Sequence, residues 1–102
     1  MNHGLPEAAI RAIHEVFLRH PEVEQAILFG SRAKGSYRHG SDIDLVLSGE
    51  YLTFSILLTL INEMDDLTIP HTVDLSLLSR ISDLDVLDHI RRVGVIFFDR
   101  EA

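Results

Sequence analysis

The sequence predicts an α/β fold of the α+β kind, a small mixed sheet with helices packed on it. Short apolar runs that alternate with a period of two recur between stretches with helical spacing. Gly or Pro marks most of the junctions. At 102 residues, 46% hydrophobic and 25% charged, the chain has a globular composition and is long enough for one core. It reads as a single domain, 1–102, without internal repeat, low-complexity tract or interdomain linker.

Leu5 to His20 reads as a helix: Pro6 suits a first helical position, and Ala9, Ile13, Val16 and Phe17 keep a helical spacing. His20-Pro21 ends it, because a residue before Pro avoids the helical region. Glu24 to Phe29 is a first strand. A short helix runs from Ser31 to about Lys34, with Gly35 as its stop. Tyr37 to Ser41 is a loop containing His39, for which ordinary exposure is expected, and Asp42 to Ser48 is a second strand.

Gly49 opens a turn into the clearest helix, Thr53 to Asp65. Phe54, Leu57, Leu58, Ile61 and Met64 form one apolar stripe, widened by Ile56 and Leu60. Burial between the sheet and a neighbouring helix explains such breadth; a face turned to a partner is the alternative. After Pro70, His71 to Ser76 forms a third strand with Asp74 directed away from Val73 and Leu75. Ser82-Asp83-Leu84-Asp85 resembles a capping box, opening a helix that runs to about Arg92. Gly94 stops it, and Val95 to Phe98 is the last strand.

Composition narrows the function. With no cysteines there is neither a disulfide framework nor a thiolate zinc site. No signal peptide and no apolar run long enough for a membrane span are visible, so a cytoplasmic protein without a membrane partner is expected. The net charge of −7 makes nucleic acid an unfavourable main partner, because backbone binding needs a basic face. The cations Arg32, Lys34 and Arg38 nevertheless gather in one loop region. Such a loop suits a triphosphate better than a polymer.

The chemistry concentrates between Phe29 and Leu47. Gly30-Ser31 ends one apolar run, and Asp42-Ile43-Asp44 begins the next after ten residues. Strand alternation sends Ile43, Leu45 and Leu47 to the core and puts Asp42 and Asp44 together on the other face. Adjacent carboxylates of this kind suit a pair of divalent ions about 3.5–4 Å apart. Mg²⁺ is expected rather than structural calcium: an EF-hand needs a polar ligand where Val46 stands. Gly30 lets a phosphate approach the backbone, and Ser31 adds a hydroxyl and an N–H.

Gly30-Ser31, the ten-residue interval and Asp42-x-Asp44 resemble the signature of the polymerase β-like nucleotidyltransferases, and at this length their minimal members. The resemblance implies that fold, with Asp42, Asp44 and Asp74 as the catalytic and metal-binding acids. Asp74 would contact one ion and help to deprotonate the attacking hydroxyl. It also implies two Mg²⁺ ions, ATP or another NTP as substrate, and Gly30, Ser31 and Lys34 at the nucleotide. Arg32 and Arg38 are weaker candidates for the triphosphate. The expected partner is a HEPN-type helical toxin, modified on a tyrosine hydroxyl, which makes this chain the antitoxin.

Competing motifs fail on their residues. Gly30-x-x-x-x-Gly35 begins like a Walker loop, but Ser36-Tyr37 stands where Lys and Ser or Thr are required. No His and Asp pair supports Ser31 as a nucleophile, and none of the six histidines forms a His-x-x-x-His pair for zinc. Beside the enzyme stands one other class, a binding module that neutralises or scaffolds a helical partner by masking its surface.

Overall fold

The computed structural model describes residues 3–38 and 40–101, so the expectation for His39 lies outside the described residues. The elements run α1 (Glu7–Leu18), β1 (Gln25–Phe29), α2 (Ser31–Lys34), β2 (Ile43–Ser48), α3 (Phe54–Asp65), β3 (Val73–Leu77), a 3-10 turn (Leu78–Arg80), α4 (Leu84–Val93) and β4 (Val95–Asp99). The four-stranded sheet has the order β3-β2-β1-β4. β1 is antiparallel to β2 and to β4, whereas β2 and β3 are parallel. A parallel pair needs a crossover, and α3 supplies it. The sheet is therefore mixed, as the sequence predicts.

Differences of detail have local causes. Pro6 is the N-cap of α1, with extended ψ of 146°, rather than its first helical residue. Asp83, not Ser82, caps α4: its carboxylate accepts from the N–H groups of Asp85 and Val86. Thr53 caps α3 by accepting from the Ile56 N–H. The 3-10 turn after β3, Leu78–Arg80, has no periodic signature in the sequence.

One core joins α1 and α3 to a single face of the sheet. Ile13, Val16 and Phe17 meet Leu28, Leu45, Leu47, Leu57 and Leu60, and burial of each such side chain contributes about 1.5–3 kcal/mol. Arg100 closes the end of α1, donating to the carbonyls of Phe17, His20 and Val23. Glu63 of α3 binds Arg19 at 2.8 Å and His20 at 2.5 Å, joining α3 to the chain just after α1. Arg19, then His20, hold the Glu63 carboxyl below the usual carboxylate range.

The apolar stripe of α3 divides. Leu57, Leu60 and Met64 are buried, and Ile56 and Ile61 pack partly against the core. Phe54 and Leu58, expected in the same buried stripe, are 52% and 46% exposed, and Tyr51 just before them is 72% exposed. The helix has one sheet to cover, and its arc is wider than that contact.

Candidate active site

β1 ends at Phe29, and the chain turns at Gly30 with φ 76° and ψ −154°. That backbone region is open essentially to glycine alone. Space forbids a side chain there as well: a Cβ on Gly30 would stand 2.5 Å from Asp44 Oδ2. The turn opens α2 at Ser31, and the left-handed Gly35 (φ 84°) closes it. Ser31 and Lys34 thus occupy the two ends of one helical turn, with Lys34 exposed.

The carboxylates come from the adjoining strands. Phe29 is the cross-strand partner of Asp44, and Asp44 is in register with Asp74 on β3. Register partners share a face, so Phe29, Asp44 and Asp74 form one row across the sheet, opposite the α1–α3 core. Asp42 stands one residue before β2 and two before Asp44, beside that row along the chain. Asp42 and Asp74 are exposed and Asp44 is half-buried. Burial, then the charge of Asp74, then that of Asp42, push the Asp44 carboxyl above its ordinary range. A half-buried carboxylate with two further acids beside it suits a cation.

Among the described residues no three His, Cys, Asp or Glu side chains converge as a preformed metal cage. This is compatible with Mg²⁺, which keeps several waters and is held by one or two carboxylates plus substrate phosphates. The donor set is all oxygen, which fits a hard cation and not zinc.

The loop cations separate. Arg32 is 2% exposed and belongs to the scaffold, contrary to the expectation that it faces a triphosphate. Its Nε and Nη2 donate to the Ser41 carbonyl at 3.2 and 2.9 Å, and Nη1 donates to the His3 carbonyl at 2.9 Å. The Tyr37 ring lies 5.2 Å from Cζ. A buried guanidinium needs such acceptors, and these ones tie α2 to the residue preceding Asp42. Arg38 is exposed, and its backbone N–H donates to Ser41 Oγ at 2.8 Å.

His89 of α4 reaches the same turn, although nothing in its sequence context marks it. The Gly30 N–H donates to His89 Nε2 at 3.2 Å, and the imidazole meets Phe29 edge-on with centroids 6.3 Å apart. The residues are 59 apart in the chain, and no local pattern connects them.

A mixed sheet that presents a glycine turn beside a row of acids is the architecture of a nucleotidyltransferase domain. The chain belongs to the family described as Polymerase beta, Nucleotidyltransferase, whose model matches residues 11–102. Solved structures share the fold. A toxin–antitoxin structure with AMP-PNP contains a chain similar to this one at TM-score 0.71 and 19% identity, over 90% of this chain and 74% of that one. A tri-AMPylated Shewanella oneidensis HEPN toxin in complex with MNT antitoxin matches at TM-score 0.66 and 16% identity, over 93% and 73%. A Sulfolobus solfataricus protein matches at TM-score 0.56 and 25% identity, over 96% and 93%. No curated protein sequence matches. Among the described residues no helix is long and apolar enough to cross a membrane.

Proposed function

We propose that this chain transfers a nucleoside monophosphate, AMP from ATP, to a tyrosine hydroxyl of a helical HEPN-type toxin, and acts as its antitoxin. The observation that carries the reading is the row Phe29–Asp44–Asp74, with Asp42 beside it and the Gly30 turn against Asp44. Family membership supports nucleotidyl transfer. Fold relatives named as a toxin–antitoxin with AMP-PNP and as an AMPylated HEPN toxin with MNT antitoxin support the nucleotide and the partner.

Asp42, Asp44 and Asp74 would hold two Mg²⁺ ions, which supply Lewis-acid polarisation of the phosphate and neutralise charge on attacking and leaving oxygens when bound. The chain's own residues do the rest. Gly30 admits a phosphate to the backbone, Ser31 donates to it from hydroxyl and amide, and exposed Lys34 neutralises the triphosphate. Asp74, exposed at the end of the row, accepts the proton of the acceptor hydroxyl. The new bond joins that oxygen to the α-phosphorus, and the bond from the α-phosphorus to pyrophosphate breaks.

Exposed Tyr51, Phe54 and Leu58 offer the partner an apolar surface on the α3 side. The same patch favours a second reading, in which the protein only masks its partner. Calorimetry with Mg-ATP separates the two. The transferase binds the nucleotide, and Asp42→Asn and Asp44→Asn each weaken binding strongly. Equal affinity in both variants and parent removes the metal-site reading.

A further inference from the structure

We infer that His89 is a positioning residue for nucleotide transfer: its Nε2 fixes the Gly30 peptide and so aims Ser31 at the row of acids. The inference rests on the transferase reading. Its starting point is a long-range side-chain hydrogen bond to the turn, the Gly30 N–H donating to His89 Nε2 at 3.2 Å. An imidazole nitrogen that accepts carries no proton, so His89 is neutral here with its hydrogen on Nδ1. Gly30 sits at φ 76° and ψ −154°, and because glycine is free to adopt many other conformations, its contacts decide which one it keeps. On one side Asp44 Oδ2 lies 2.5 Å from where a Cβ would stand, and among the described residues His89 takes the peptide N–H.

The same imidazole packs edge-on against Phe29, the residue that enters the turn and pairs with Asp44. His89 therefore touches both residues ahead of Ser31 while standing on an element outside the motif. Within α4, Asp83 caps the start and exposed Asp88 pairs with Arg91 and Arg92, while Ile90 is buried against the rest of the fold. Through His89, the helix thereby sets the orientation of the peptide that precedes the phosphate-contacting hydroxyl. Misorientation of that peptide would weaken ground-state and transition-state contacts to the phosphate alike.

His89→Leu keeps the bulk against Phe29 and removes the acceptor; His89→Gln restores an acceptor oxygen at the reach of Nε2. The experiment compares parent, leucine and glutamine proteins by thermal melting, Mg-ATP calorimetry and steady-state transfer to the co-expressed partner. Loss of one hydrogen bond predicts a rise in Mg-ATP Kd and KM of roughly 2- to 12-fold in the leucine variant. The change in kcat is smaller, and glutamine recovers most of the loss. A leucine variant equal to the parent, or a glutamine variant no better than leucine at equal folded fraction, overturns the role of His89 and leaves the transferase reading standing. A parent that neither binds Mg-ATP nor transfers nucleotide overturns both.

Discussion

Asp44 closes off the space beside Gly30: a Cβ on the glycine would lie 2.5 Å from Oδ2 of the aspartate. The two halves of the motif are thus in direct contact, although ten residues separate Ser31 from Asp42. The contact follows from register, since Phe29 pairs with Asp44 and Gly30 is the next residue along.

Gly30→Val is accordingly expected to fail twice. The side chain enters a positive-φ conformation, which costs about 1–3 kcal/mol, and it displaces the Asp44 carboxylate. Urea unfolding reads the first effect and Mg-ATP titration the second. A valine variant matching the parent in both contradicts the turn geometry.

Asp44→Asn is expected to stabilise the protein in the absence of metal while impairing nucleotide binding. Burial and the neighbouring charges of Asp74 and Asp42 raise the folded-state affinity of Asp44 for a proton. The folded state then binds more protons than the unfolded state, so stability falls as pH rises from below the ordinary value of 3.8 through the raised one. Melting temperatures in EDTA show the asparagine variant ahead of the parent at neutral pH and the gap closing towards acid pH, where both forms are uncharged. A gap that persists below the ordinary carboxylate range contradicts this assignment. Sites that gather like charges for a cation commonly trade stability for function.

Arg32→Lys is expected to destabilise the fold despite keeping the charge. The guanidinium sends two donors to the Ser41 carbonyl and one to the His3 carbonyl, a fork that an ammonium cannot copy. Leaving a buried acceptor without its donor costs about 1–3 kcal/mol. Chemical denaturation measures the loss, and a lysine variant as stable as the parent shows that the clip is dispensable.

The elements were legible in the sequence because each obeys a local rule. The alternation of Ile43, Leu45 and Leu47 against Asp42 and Asp44 specifies both a strand and its faces, and Gly35 marks the end of α2. What stayed hidden is long-range. Arg32, Lys34 and Arg38 look alike in a loop, yet only tertiary packing makes Arg32 a buried clip. His89 is an ordinary helical histidine until α4 is laid against Phe29. The division of the α3 stripe likewise depends on how much of the helix the sheet covers, which periodicity does not encode.

Transfer itself is tested most directly by the mass of the partner. The chain is co-expressed with a candidate HEPN-type helical partner, the complex is purified, and the partner is weighed after incubation with Mg-ATP. The expected result is a gain of one or more AMP masses on the partner, lost with Asp42→Asn and with Asp44→Asn. A stable complex whose partner gains no mass with ATP or any other nucleoside triphosphate contradicts the transferase account and leaves the masking module in its place.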